Sequence, residues 1–203
     1  NGTCSSSASL LASTDSLGLG SAVSGQPSPA ASFTLTNSGQ QPSGPVSLAS
    51  SSTEFTFQTG IAGDCVSGVT VLAANATCTV HVIFTPSSTG ARSAFITYSA
   101  TPGGSGSIRA SGAGIAPGSL SSSVPSLTFG TVALGASSSV VSFNLSNTGQ
   151  QTSGAISLAS SSAEFKSQTG AAGDCISGAT TLSAGASCAV RIVYTPTAAA
   201  SRA

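Results

Sequence analysis

The stretch that decides the fold runs from Gly63 to Pro86 and reads GDCVSGVTVLAANATCTVHVIFTP. A second stretch, from Gly173 to Pro196, reads GDCISGATTLSAGASCAVRIVYTP. Each stretch places two cysteines 13 positions apart and then continues as an alternation of apolar and polar residues. The two stretches begin 110 residues apart, and their common pattern indicates that the chain contains the same structural device twice.

The repeat extends well beyond these two stretches. Between 33–86 and 143–196, 33 of 54 aligned residues are identical, and the alignment needs no gap. Self-similarity at a fixed period predicts a tandem array of like modules. We expect residues 1–4 to be the tail of a preceding repeat or a linker, 5–115 to be repeat 1 and 116–203 to be repeat 2.

Each repeat reads as a series of short strands. In repeat 1, the segment SFTLTNSG places Phe33 and Leu35 on one face and ends in a turn signal. The segment CTVHVIFTP alternates in the same way, and its predicted inward residues are Cys78, Val80, Val82 and Phe84. Turn residues interrupt the series about every 8–12 residues, which is typical of an all-β sandwich.

Composition limits the classes of function. Charged residues make up 5% of the chain and the formal net charge is zero, so the basic surface that a nucleic-acid-binding protein needs is lacking. No apolar run approaches the ~18 residues of a membrane-spanning helix. Four of the five cysteines form two equally spaced pairs, which favours disulfides and an oxidising, extracytoplasmic location.

The paired cysteines allow three interpretations, which are disulfides, metal ligands or free thiols. A Cys65–Cys78 bridge would close a loop of about 14 residues with one predicted strand, Val69–Leu72, inside it, and closing such a loop contributes about 3 kcal/mol. A zinc site takes four ligands at short spacings, whereas each repeat offers two cysteines. We therefore predict the bridge in repeat 1 and its copy, Cys175–Cys188, in repeat 2.

Two further residues are candidates for contacts between modules or chains. Cys4 is the odd cysteine and lies in the predicted linker, so it would bond to an upstream module, to another chain or to nothing. Phe57 has Ser167 as its copy, which indicates a peripheral position. Phe57 is therefore either part of an interface or a local filler of the core.

Several motifs resemble those of one known family. The run LxFGxV at Leu127–Val132, the NTG turn at Asn147 and the run C…LxAGAxCxVxIxYTP from Cys175 to Pro196 resemble the bacterial choice-of-anchor D repeats. The resemblance covers nearly the whole chain. It implies immunoglobulin-like sandwiches related to the ASPM, SPD-2 and hydin domain and to major sperm protein. It also implies secreted or surface-attached multi-repeat bacterial proteins, and no catalytic residues.

The two copies do not match the family motif equally well at their start. Repeat 1 has Gly18 and Leu19 where repeat 2 has Thr128 and Phe129. The family motif therefore indicates the first strand less clearly in repeat 1 than in repeat 2.

The second repeat also differs from the first at its end. It contains no counterpart of Ser93–Gly112, a segment of about two strands. A sandwich without those strands has an open core and unpaired strand edges. Either the 203 residues are a fragment of a longer array, or a neighbouring subunit fills the gap with its own strands.

No nucleophile–base–acid triad is evident. The one histidine, His81, lies on the outward face of a predicted strand, and its copy is Arg191. We therefore predict His81 to be a solvated strand residue. No clustering of carboxylates typical of a calcium site and no phosphate-binding loop are present either, so we expect neither a metal nor a cofactor.

Two carboxylates occur in both copies. Glu54 and Asp64 correspond to Glu164 and Asp174, and a pair of carboxylates could serve glycoside hydrolysis. We interpret them instead as loop residues, with Asp64 making hydrogen bonds within a turn. No catalytic residue is predicted.

The sequence thus predicts tandem immunoglobulin-like β-sandwiches, the second one incomplete, in an extracellular or cell-surface bacterial protein that is not an enzyme. Its role would be structural, as part of a stalk, fibre or sheath. Its partners would be copies of itself or adjacent repeats. The alternative is an adhesin-like module whose loops recognise a protein or a surface glycan.

Overall fold

The computed structural model describes residues 7–198, which form strands and connecting segments without a helix. The chain divides into two compact units between Ile115 and Ala116, and we call them unit 1 and unit 2. Within the described residues, no helix is long and apolar enough to cross a membrane. The strands are β1 Leu10–Ala12, β2 Ser16–Val23, β3 Ala31–Asn37, β4 Ser47–Ser50, β5 Phe55–Gln58, β6 Thr77–Phe84, β7 Gly90–Ala100, β8 Gly104–Ile115, β9 Leu120–Ser122, β10 Val141–Asn147, β11 Phe165–Gln168 and β12 Ser187–Tyr194.

Unit 1 consists of two four-stranded sheets. The first has the order β1-β3-β6-β5, and we call it the staple sheet because it contains Cys78. The second has the order β2-β8-β7-β4, and we call it the cover sheet. Neighbouring strands are antiparallel except for β2 and β8, which are parallel. The prediction of an all-β, immunoglobulin-like sandwich is confirmed.

The core of unit 1 lies between these sheets. The alternation read from the sequence of β6 is present, with every second residue buried from Cys78 to Phe84. Phe84 stacks on Phe55 with the ring centroids 4.7 Å apart. The cover sheet supplies Ile96 and Ile108, which are also fully buried. Each such side chain stabilises the fold by about 1.5–3 kcal/mol.

Unit 2 contains a copy of the staple sheet, with the order β11-β12-β10-β9. Its register repeats that of unit 1, since Phe143 pairs with Val190 as Phe33 pairs with Val80. In the described part of unit 2, the counterparts of β2 and β4, residues 126–133 and 157–160, are not strands, and the counterparts of β7 and β8 lie outside the described residues. The described part of unit 2 therefore consists of one sheet and its connecting segments.

The predicted strand at Val69–Leu72 is wrong. Residues 67–69 form a turn instead, in which the amide of Thr70 donates to the carbonyl of Val66 and the hydroxyl of Thr70 accepts from the amide of Val66. Val69 is 70% exposed, whereas Leu72 is buried. The local hydrogen bonds of threonine have outweighed the β propensity of the valines.

The first strand is nevertheless formed in repeat 1, where the family motif indicated it less clearly. Ser16–Val23 forms β2 in unit 1, while the counterpart segment of unit 2, residues 126–133, is not a strand. The reason is the pairing partner, because β2 is held by the backbone of β8. The presence of a partner strand decides this element more than its own side chains do.

Candidate functional site

The disulfide staple is built in the same way in both units. Cys65–Cys78 and Cys175–Cys188 are bonded, with Cα–Cα distances of 5.1 and 5.2 Å. The amide of Cys65 donates to the carbonyl of Thr79 at 2.8 Å, and the equivalent bond of Cys175 is 2.7 Å long. The staple thus fastens an irregular loop to the first residues of β6 in unit 1 and of β12 in unit 2. Closing a loop of this size contributes about 3 kcal/mol to the free energy of unfolding.

A carboxylate beside each staple lies close to a basic side chain, on β6 in unit 1 and on β12 in unit 2. Asp64 accepts a hydrogen bond from the amide of Ile61 at 2.7 Å, as predicted for a turn residue, and its other oxygen lies 3.4 Å from Nε2 of His81. In unit 2, Asp174 lies 2.8 Å from Nε of Arg191, in an ion pair without hydrogen-bond alignment.

His81 is therefore not the solvated strand residue that we predicted. Its side chain is only 20% exposed and faces a carboxylate whose own side chain is 3% exposed. The signal in the sequence was the replacement of His81 by Arg191, because both side chains are able to carry a positive charge opposite an aspartate.

The second duplicated carboxylate closes a different loop. Glu54 accepts hydrogen bonds from the amide and the hydroxyl of Ser87 at 2.7 and 2.6 Å, and Nε of Arg92 lies 3.3 Å from its other oxygen. Bonds from the Ser87 hydroxyl and amide, together with the Arg92 charge, hold the pKa of Glu54 below its ordinary value of 4.5, against the opposing effect of burial. Glu164 accepts the equivalent bonds from Thr197 at 2.6 and 2.5 Å.

These geometries give the predicted carboxylates separate structural tasks. Glu54 is bonded to the segment after β6, whereas Asp64 is bonded within its own turn and to β6. Among residues 7–198, no three or more His, Cys, Asp or Glu side chains gather in a way that could hold a metal ion. Cys4 lies outside the described residues. Phe57 is half-buried and packs against the core of unit 1.

A buried asparagine in each repeat organises the turn that the sequence signalled. The side chain of Asn37 is fully buried and accepts hydrogen bonds from the amides of Ser9 and Gly39 at 3.0 and 3.1 Å. Its amide group donates to three backbone carbonyls, those of Gln41, Leu72 and Ala73. One side chain therefore links β1, the turn after β3 and the loop that leads into β6.

The same arrangement occurs in unit 2. Asn147 accepts from the amides of Ser119 and Gly149, both at 3.0 Å, and donates to the carbonyls of Gln151 and Leu182, both at 2.8 Å. The sequence predicted only a turn at this motif and not the linking role of its side chain. The signal was that both copies have asparagine at this position.

The glycine of the same motif is required by close packing. A Cβ on Gly39 would lie 2.1 Å from the carbonyl oxygen of Ser7, and one on Gly149 would lie 2.0 Å from that of Pro117. Any larger residue at these positions would displace the first strand of its unit.

One side of the sheet of unit 2 carries an apolar groove, and we call this side the open face. It forms a groove of about 800 Å³. Its apolar lining consists of Leu127, Phe129, Phe143, Leu158, Ala159, Phe165, Val190 and Ile192. Such a face buries apolar surface as soon as a complementary element docks on it.

Equivalent positions show what the cover sheet contributes. Leu10 is 5% exposed and its copy Leu120 is 44% exposed. Phe55 is fully buried, whereas its copy Phe165 is half-buried. In unit 2 the ring of Phe129 packs against that of Phe165, with the ring centroids 5.4 Å apart.

Comparisons with solved structures find several proteins that are similar to this chain at low sequence identity. The PapD-like domain 7 of human CEP192 is similar at 16% identity, with 55% of this chain and 88% of that domain covered and a TM-score of 0.42. A protein of unknown function from Porphyromonas gingivalis W83 is similar at 11% identity, with 92% and 83% covered and a TM-score of 0.41. Domains 5–6 of the S-layer protein SbsC are similar at 13% identity, with 96% and 86% covered and a TM-score of 0.34.

These likenesses concern the fold alone. No protein-family model matches the chain. No curated protein matches it either.

Proposed function

We propose that the chain is an extracellular structural protein whose immunoglobulin-like units form part of a stalk, fibre or sheath. The observation that carries the proposal is the staple, built twice with the same geometry in consecutive modules. Disulfides persist in oxidising compartments, and the two bonds therefore indicate a domain that is not cytoplasmic. A role in load-bearing or spacing needs such durable modules and no reacting groups.

The contacts within each unit suit a load-bearing role. Each staple holds a loop of 14 residues, from Cys65 to Cys78 and from Cys175 to Cys188, so that this loop is not extended when the unit is pulled. The duplicated carboxylates Glu54 and Glu164 close a second loop in each unit. We assign both units to the choice-of-anchor D type of repeat, on the motifs quoted above, and we assign no catalytic activity to them.

Assembly in this proposal involves other copies or adjacent repeats. The apolar groove on the sheet of unit 2 supports this part of the proposal, because an exposed apolar surface is one on which another copy or an adjacent repeat packs. In this proposal subunits exchange strands as they assemble.

The proposal is tested on cells of the source organism. Antibodies against the chain should label intact, unpermeabilised cells in a fibrous or layered pattern in immunoelectron microscopy. Without reductant, a thiol-alkylating reagent should leave Cys65, Cys78, Cys175 and Cys188 unmodified. Labelling only after permeabilisation, together with four alkylated cysteines, would contradict an extracellular structural role.

A binding role through the loops is the second candidate, and one observation favours it. The loop around the first staple exposes three apolar side chains, with Ile61 at 51%, Val69 at 70% and Val71 at 53% exposure. Immobilised protein that retains a glycan or a surface protein, and loses it in the Val69→Ser/Val71→Ser variant, would favour adhesion over a purely mechanical role.

A further inference from the structure

We propose that the outer face of the cover sheet in unit 1 binds an acidic polysaccharide, one whose pyranose rings carry carboxylates. The outer face consists of the residues of β2, β4, β7 and β8 that point away from the core. The inference goes beyond the proposed structural role and does not depend on it. It also concerns a different surface from the staple loop, to which the second candidate function refers.

The outer face presents an exposed aromatic ring. Among the described residues, the other seven phenylalanines and both tyrosines are buried or half-buried, whereas Phe95 is 58% exposed. It lies in the middle of β7, between Ala94 and Ile96, which are buried on the opposite side of the strand. The electron-rich face of such a ring attracts partly positive C–H groups, and a pyranose presents C–H groups of this kind. Phe95 is therefore placed to stack on a sugar ring.

A guanidinium lies beside this ring. Phe95 and Arg109 are opposite each other in the antiparallel register of β7 and β8, and the Cβ atoms of such residues are about 4.5–5.5 Å apart on the same face of the sheet. Arg109 is exposed, and its side chain has no ion pair or hydrogen bond in the part of the chain that the structure describes. Arginine binds a carboxylate through two parallel N–H donors. The two side chains together match one uronic acid, with its ring on Phe95 and its carboxylate at Arg109.

The charge of the cover sheet favours an anionic ligand. Its four strands contain two arginines, Arg92 and Arg109, and no aspartate or glutamate. Arg92 is paired with Glu54 at 3.3 Å, which leaves Arg109 as the unpaired cation of this sheet. Asp15 precedes β2 and accepts the amide of Arg109 with its backbone carbonyl, but its carboxylate forms no ion pair with the guanidinium. Complementary charge would therefore select a carboxylate-bearing polysaccharide over a neutral one.

An open groove of about 450 Å³ continues from Arg109 across β8 and β2. Its lining includes Gly18 and Gly20, where an added Cβ would meet nothing within 4 Å, so the space above β2 is open. It also includes Ser93 and Ser111, which are opposite each other and exposed. Their hydroxyls make no hydrogen bond to the described residues. The groove thus offers donors and acceptors to the hydroxyls of further sugar units.

The composition of the outer face favours a saccharide over a protein partner. A protein interface has a central core of several packed apolar side chains. The outer face has one large apolar side chain, that of Phe95, and its other positions carry small or hydroxyl-bearing residues such as Thr97 and Ser107. One ring surrounded by hydroxyls and a cation suits a sugar chain.

The test uses the full-length oxidised protein and three hexasaccharides. Those of hyaluronan and polygalacturonate contain uronic acids. That of chitin is the neutral control, because it shares N-acetylglucosamine with hyaluronan. Isothermal titration calorimetry measures binding with and without added sodium chloride, and hydroxyl-radical footprinting reports whether the ligand shields the ring of Phe95.

We expect saturable, salt-sensitive binding of a uronic hexasaccharide, with less oxidation of Phe95 in the complex. Arg109→Gln should weaken binding at least about tenfold, because hydrogen bonds to a charged group are lost. Phe95→Thr, which keeps a strand-forming residue, should weaken it about fivefold or more. Gly18→Glu should abolish binding, because it fills the groove with a negative charge and touches no core residue. Lys166→Gln, which removes an exposed cation of unit 2, is the control without effect.

Four results would overturn the inference. One is the absence of binding of both uronic hexasaccharides, and another is equal binding of the chitin hexasaccharide. A third is binding that Arg109→Gln and Phe95→Thr leave unchanged, including binding lost only in Val69→Ser/Val71→Ser, which would place the ligand at the staple loop. The fourth is self-association that Phe95→Thr removes, which would make the outer face a contact between copies.

None of these results affects the surface labelling of cells or the protection of the four paired cysteines. Failure of the saccharide site is therefore distinguishable from failure of the proposed structural role.

Discussion

Unit 1 and unit 2 contain the same staple sheet, yet their side chains are buried to different degrees. The cysteines, the buried asparagine and the strand register are the same in both. Leu10 is buried and Leu120 is not, since the cover sheet with β7 and β8 is present only in unit 1 among the described residues. The staple sheet thus has the same register in both units, whereas the cover strands provide much of the core of unit 1.

The largest difference between the units should come from truncating the stacked aromatic residue. Phe55→Ala should lower the free energy of unfolding of unit 1 by about 3–5 kcal/mol, because the side chain is fully buried. Phe165→Ala should cost unit 2 less than about half of that, because its side chain is half-buried. Urea-dependent hydrogen exchange, read on peptides from each unit, measures both losses in one chain. Equal losses would show that unit 2 is covered in solution.

Removing a staple should have the next largest effect. Cys65→Ser/Cys78→Ser should lower the free energy of unfolding of unit 1 by about 3 kcal/mol. Cys175→Ser/Cys188→Ser should lower that of unit 2 by a similar amount, and since unit 2 has a smaller core, it should then be largely unfolded at room temperature. Far-ultraviolet circular dichroism and exchange of unit-specific peptides would check this. A unit 2 that stays folded without its disulfide would argue against the staple as its main support.

The buried asparagines should matter equally in both units, because the cover sheet takes no part in their bonds. Asn37→Ala and Asn147→Ala should each cost about 2–3 kcal/mol by leaving backbone groups without partners. Ser38→Ala, at the exposed neighbouring position, is the matched control with a small effect. A cost confined to unit 1 would mean that the asparagine acts through the cover sheet after all.

The smallest effect should be a dependence of unit 1 on acid. The pKa of Glu54 is lowered in the folded state, so its contribution is fully present above the ordinary value of 4.5 and is lost as the pH falls through the lower folded value. Glu54→Gln should therefore flatten the fall in stability of unit 1 below about pH 4.5. Asp15→Asn is the control at an exposed position. If the stability of unit 1 depended on pH in Glu54→Gln as it does in the unmodified protein, the Glu54 carboxylate would not be the cause of the acid dependence.

Alternation and cysteine spacing predicted the staple sheet because its residues face one core and pair with neighbours in the same repeat. The inward positions from Cys78 to Phe84 could be read from apolar residues at every second place. Whether residues 126–133 and 157–160 form strands as their copies β2 and β4 do cannot be decided from their own letters, since β2 and β4 pair with strands that are distant in the sequence. Identical letters at 47–50 and 157–160 take different structures, and local propensity cannot distinguish them.

The contacts between side chains were predicted less well than the strands. Asp64 was expected in a turn, yet its pairing with His81 depends on the loop being brought onto β6. The role of Asn37 depends on three segments that meet only in the folded unit. Such long-range bonds leave little trace in one sequence, and here the internal repeat was the signal that could have revealed them.

The most direct test of the account is the hydrogen exchange of the two SLAS segments in the same free protein. The account predicts that the amides of 157–160 exchange at least about tenfold faster than those of 47–50, because only the latter pair with a neighbouring strand. Equal protection of both segments in the free protein would contradict this account of the difference between the two units.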